Sequence, residues 1–115
     1  MTTTSLFDRH HPDQLAAYLR RQQLWSARTF GAGLRTLGLL AHIRKECDEV
    51  AARPSDLSEW IDIMILAMDG FWRHGGTPDG LMDALLSKQA RNFNRQWPAA
   101  GPEDQPVEHV RGDQP

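Results

Sequence analysis

A chain of 115 residues is long enough for one domain with its own core and short enough to gain from self-association. Its 40% hydrophobic content and four tryptophans argue for a globular protein rather than a disordered one. The formal net charge of -2 excludes an unaided polyanion binder, because nonspecific nucleic-acid binding needs a basic surface, so any phosphate must be met by a local cluster or a metal.

In chain order, residues 1 to about 10 are polar and expected to be loose. A first helix is predicted to begin near Pro12, a good first-turn residue, and to run through DQLAAYLRRQQLWSA. Leu15, Tyr18, Leu19 and Trp25 form its apolar side and Arg20 and Arg21 face out. RTFGAG follows, where Gly31 and Gly33 interrupt the pattern as a loop. A second helix is predicted over Leu34 to Ala52, with Leu37, Leu39, Leu40, Ile43, Cys47 and Val50 as its apolar stripe and His42, Glu46 and Glu49 on the stripe beside it. Pro54 ends it, since proline disfavours a helical Arg53 and offers no backbone donor. Ser55 or Asp56 then caps a third helix from Leu57 to about His74. That helix is apolar nearly all round, which predicts burial on several sides and leaves Glu59, Asp62 and Asp69 as exceptions.

Gly75 and Gly76 end the third helix, Thr77 caps, and Pro78 is expected to open a fourth, PDGLMDALLSKQARNFNRQW. Leu81, one of Leu85 and Leu86, and Phe93 are its candidates for burial; Lys88, Arg91, Asn92 and Arg95 lie three or four apart along one side. The remainder, AAGPEDQPVEHVRGDQP, has no periodicity. The predicted architecture is therefore all-α, a four-helix bundle over residues 1–98 with a flexible, disordered tail at 99–115, and no strand, repeat or second domain. The single cysteine, Cys47, excludes an internal disulfide framework. With no secretory signature at the start and no window of membrane-spanning length, the expected location is cytoplasmic, or the host cytoplasm for a phage-encoded protein.

Glu46 and Glu49 are three residues apart, Glu59 and Asp62 repeat the spacing, and Asp69 lies two turns further on the same face. Either pair alone is usually a solvated acidic face. Two pairs on sequential helices, one of them in an apolar stretch, predict four or five converging carboxylates, which would cost several kcal/mol each without compensation. Mg²⁺ or Mn²⁺, both oxygen-seeking, is the expected compensation; zinc, which prefers sulfur and imidazole, fits less well. A carboxylate-held magnesium in turn points to a phosphate-bearing substrate. Lys88, Arg91, Asn92 and Arg95 are then either a cationic wall for the distal phosphates or an ordinary exposed face, and His42 either bonds a phosphate oxygen or orients a carboxylate. The alternative from a different class is a noncatalytic helical interaction module whose acidic patch holds a basic partner.

Glu46-x-x-Glu49, a break, Glu59-x-x-Asp62 and a helix bearing Lys88 and Asn92 resemble the MazG-like all-α nucleoside triphosphate pyrophosphohydrolases. WSARTFG at 25–31, HIRKE at 42–46, DLSEWIDIMILAMDG at 56–70 and KQARNFNRQWP at 88–98 are more closely similar to their dATP/dGTP diphosphohydrolase branch, which includes the phage enzymes called MazZ. One departure is Lys45, which stands where the usual EExxE box has its leading glutamate. The resemblance implies that Glu46, Glu49, Glu59 and Asp62 ligate about two or three Mg²⁺ or Mn²⁺ ions, with Glu46 or Glu49 as the general base toward the attacking water. It implies cleavage of dGTP or dATP to the monophosphate and pyrophosphate, in phages of the MazZ type as a source of dGMP for 2-aminoadenine DNA. It also implies assembly into dimers or dimers of dimers; the net charge and the lack of a membrane-length window are what predict neither nucleic acid nor membrane as partner. Trp25 and Phe30, beside the glycine loop, are either core aromatics or a stack for the purine, with backbone amides near Gly31 reading the base edge.

Overall fold

The computed structural model describes residues 14–111 as four helices with no named strand among the described residues: α1 (Gln14–Phe30), α2 (Thr36–Ala52), α3 (Leu57–Arg73) and α4 (Leu81–Phe93). The all-α expectation is met. The predicted start near Pro12 and the loose first ten residues lie outside the described residues. The chain divides into two compact units, Met1–Met82 and Asp83–Pro115. No helix among the described residues is long and apolar enough to cross a membrane.

In the first unit α3 packs against both α1 and α2. Each helix boundary has a local cause. α1 runs three residues past its predicted end and closes when the Gly31 amide donates to the Ala27 carbonyl at 3.0 Å, with Gly31 left-handed at φ 93°. α2 begins two residues later than predicted, because Arg35 is itself left-handed (φ 54°, ψ 28°) and turns the chain into the helix. Of the two candidate caps for α3, Asp56 serves: its carboxylate accepts from the Ser58 amide at 3.1 Å and the Ser58 hydroxyl at 2.6 Å, and these bonds hold its carboxyl below the usual range. Gly75, at φ 111°, ends α3 as predicted.

Pro78 does not open α4. The Thr77 hydroxyl and carbonyl both accept from the Gly80 amide, at 3.0 and 3.1 Å, so 77–80 form a turn and the helix starts at Leu81. It stops at Phe93, four residues short of the predicted end, and Arg95 lies beyond it.

The buried apolar set is small: Ala16, Leu19, Leu39, Val50 and Leu81. Leu19 is sealed from solvent, a burial that contributes roughly 2 kcal/mol. Several positions assigned to apolar stripes are instead exposed, among them Trp25, Leu37, Leu40, Leu85, Leu86 and Phe93. The prediction for α3 is corrected most: its buried residues are Asp69 and Arg73, both charged, while Leu57, Trp60, Ile61 and Met64 are about half exposed or more. One chain of this size cannot cover every side of an apolar helix.

In the second unit, beyond α4, the Trp97 indole donates to the Asn92 carbonyl at 2.8 Å and the Val110 amide to the Gln96 carbonyl at 2.6 Å, an isolated antiparallel bridge. The Trp97 and His109 rings meet edge to face at 5.8 Å. Desolvation, aided by the Arg95 and Arg111 charges, holds His109 below the ordinary imidazole range.

Candidate functional site

Periodicity alone places Glu46 on one face of α2 and Glu59 and Asp62 on one face of α3. The packing of α2 on α3 brings those faces together, and ligand oxygens of all three acids lie within 4.8 Å of one another. Glu49 stands outside that cluster but close enough for its charge to act on Glu59. The Glu59 carboxyl is pushed above the usual carboxylate range, first by loss of water contact and then by the charges of Asp56, Glu49, Asp62 and Glu46. A donor set made only of carboxylate oxygens, with one member resisting ionisation because of its neighbours, suits a hard divalent cation, which would neutralise the repulsion. His42, exposed one turn before Glu46, puts Nε2 3.2 Å from Glu46 Oε1.

Asp69 does not join the cluster. The carboxylate is buried and both of its oxygens are engaged: Oδ1 accepts from the Trp72 indole at 2.8 Å and Oδ2 from Arg73 Nε at 2.8 Å. Its charge is matched by Arg73, so the expected four or five converging acids are three, with Asp69 paired elsewhere and Glu49 outside the cluster. Removing either partner of a buried pair of this kind costs roughly 3–5 kcal/mol.

A cavity of about 220 Å³ is lined by two of the cluster acids, Glu46 and Asp62, and by Trp25, Phe30 and Arg35. The two aromatics are not core: Trp25 is 57% and Phe30 47% exposed, and they pack edge to face at 5.5 Å. The Arg35 guanidinium lies over the Phe30 ring, 5.6 Å from its centroid. Gly31 is committed at both backbone groups, its amide to Ala27 and its carbonyl to Arg73 at 2.8 Å.

Lys88, Arg91, Asn92 and Arg95 belong to the second unit. There Asn92 is bonded on both sides of its amide, donating to Gln89 at 3.1 Å and accepting from Arg95 Nη1 at 3.1 Å. Lys88 and Arg91 are exposed on α4.

Sequence reasoning passed over four residues that build the pocket or its support. Gln22 and Ser26 sit on the buried side of α1, and the Gln22 amide donates to the Ile65 carbonyl at 2.9 Å. Arg35 carried no signal, since nothing in RTFGAGLR marks it as left-handed. Arg73 did carry one: it stands four residues after Asp69 on an apolar helix, the spacing of a side-chain ion pair.

A family model for dATP/dGTP pyrophosphohydrolases matches residues 18–114. No curated protein and no solved structure matches the chain.

Proposed function

Since the chain belongs to the dATP/dGTP pyrophosphohydrolase family, we propose that it cleaves dGTP, dATP or both between the α- and β-phosphates, giving the monophosphate and pyrophosphate. The observation that carries this reading is the acid cluster opening into an aromatic-walled cavity: Glu46 and Asp62 line the same space as Trp25 and Phe30. Charge suited to a cation and flat apolar surface within one cavity are what a nucleoside triphosphate needs.

Glu46, Glu59 and Asp62 would hold Mg²⁺ or Mn²⁺, with Glu49, whose charge reaches Glu59, as a further ligand. A cation held there would supply Lewis-acid polarisation of the phosphoryl group and a more acidic water. The chain's own groups do the rest. Glu46 or Glu49 accepts the proton of the attacking water, and His42 fixes the orientation of Glu46. Trp25 and Phe30 stack on the purine and Gly31 shapes the loop beside it. Lys88, Arg91, Asn92 and Arg95 are proposed as phosphate ligands on their chemistry. In a phage with 2-aminoadenine DNA the product dGMP would feed precursor synthesis.

The test is pyrophosphate release from the common ribo- and deoxyribonucleoside triphosphates with Mg²⁺ or Mn²⁺. Turnover should be highest with dGTP and dATP, and Asp62→Asn should lower kcat by about 100-fold or more, the scale of losing a group that stabilises transition-state charge. No release from any nucleotide with either metal would overturn the reading and leave a noncatalytic interaction module.

A further inference from the structure

The most completely bonded side chain among the described residues of the first unit takes no part in the chemistry above. Arg73 is shut off from solvent and every one of its N–H groups has a partner. Nε donates to Asp69 at 2.8 Å; Nη1 donates to the carbonyls of Gly31 at 2.8 Å and Gly33 at 2.6 Å; Nη2 donates to the Ser26 hydroxyl at 2.9 Å and its carbonyl at 3.4 Å. Three of these acceptors are main-chain carbonyls at the end of α1 and in the glycine loop, a segment 40 to 47 residues away in sequence.

That loop needs an external tie. Within five residues it holds two positive-φ positions: Gly31, where glycine adopts that backbone freely, and the non-glycine Arg35 (φ 54°), whose conformation persists only where the surroundings over-determine it. The loop also sets two walls of the cavity: Phe30 ends α1 just before it, and Arg35 follows it, bonded back to the Phe30 carbonyl at 3.4 Å. The same α3 helix that holds the loop through Arg73 carries Glu59 and Asp62 in its first two turns.

We propose that Arg73 is a positioning residue for substrate selection: by gripping the Gly31 and Gly33 carbonyls it sets Phe30 and Arg35 as a rigid wall against the base, in register with the acid cluster. This rests on the nucleotide reading of the cavity. Asp69 is the counter-charge that keeps the guanidinium aimed, and the Trp72 indole fixes Asp69 in turn. Lysine cannot substitute, because an ammonium has three donors on a flexible stem and cannot meet this fork of acceptors.

The experiment compares wild type with Arg73→Lys by amide hydrogen exchange and by steady-state kinetics with dGTP and dATP. Exchange at residues 31–35 should quicken while α2 stays protected, and KM should rise about tenfold with kcat kept within about threefold, as for lost ground-state positioning. Unchanged exchange and KM, or a fall in kcat at constant KM, overturns the proposal. If Arg73→Lys does not fold, Ser26→Ala, which removes only the 2.9 Å hydroxyl partner, decides: a smaller rise in KM supports the proposal and an unaltered KM overturns it. Wild-type protein that releases no pyrophosphate defeats the hydrolase reading alone. The grip on the loop is then judged by exchange, where undiminished protection at 31–35 in Arg73→Lys overturns it.

Discussion

Glu59 is where the electrostatics of the site can be measured without turnover. Its carboxyl is raised by poor hydration and by four neighbouring acids, so the fold favours its protonated form. The linkage sign follows: its contribution to stability is present below the usual glutamate range and is lost as pH climbs through the raised value. Without divalent ions, wild type should therefore gain on Glu59→Gln in melting temperature as pH falls from neutrality. A cation bound by the ionised acids would reverse the balance at neutral pH. At about 100 times its Kd it should add roughly 2.7 kcal/mol, a rise on the order of 10 °C. That rise should shrink as protons compete at lower pH and should be largely lost in Glu59→Gln. A metal-induced shift that survives Glu59→Gln undiminished means the ion sits elsewhere. Asp69 is not part of this response, because Arg73 and Trp72 already occupy its oxygens.

Elements were legible where the sequence carries a local chemical cause. Apolar periodicity located all four helices, Pro54 and Asp56 marked the α2–α3 junction, and Gly75 marked the end of α3. The acids of the cluster were found because helical spacing is a property of sequence. Boundaries failed where the cause was conformational: a left-handed Arg35 delays α2, and the Thr77 turn delays α4. Burial failed on α3 because apolar residues outnumber what two packed helices can cover, while Asp69 and Arg73 are buried by mutual pairing and by loop carbonyls that no periodicity reveals. The segment after α4 carries its own prediction. His109 sits against Trp97 with its imidazole pKa lowered, so the folded segment favours the neutral ring, and that stability is present above the ordinary imidazole range and lost as pH falls through the lowered value. The Val110 amide, bonded to Gln96 at 2.6 Å, should lose exchange protection on acidification beyond the intrinsic pH effect, and less so in His109→Gln. Equal protection in both proteins would show that the ring does not hold the bridge.

At the level of the whole molecule, the unanswered energetic demand is apolar surface on α3. Leu57, Trp60, Ile61 and Met64 fall at helical spacing on one face and are 48–74% exposed, with the Trp60 indole fixed outward by its bond to the Pro54 carbonyl at 2.9 Å. A continuous apolar stripe of this kind on a monomer marks an interaction surface or an aggregation liability. A second copy of the chain is the proposed cover, in a two-fold arrangement that lets the same stripe serve both subunits. The stripe shares its helix with Glu59 and Asp62, so self-association would also hold the acid-bearing end of α3 straight. Wild type should run as a dimer or larger by light scattering. Ile61→Glu with Met64→Glu should shift it toward monomer, because each subunit would then bring two carboxylates into an apolar contact at a cost of several kcal/mol. The double variant must retain manganese binding at Glu46, Glu59 and Asp62 for the shift to be assigned to the interface rather than to unfolding. A variant that binds manganese and keeps its assembled mass would place the interface on another surface.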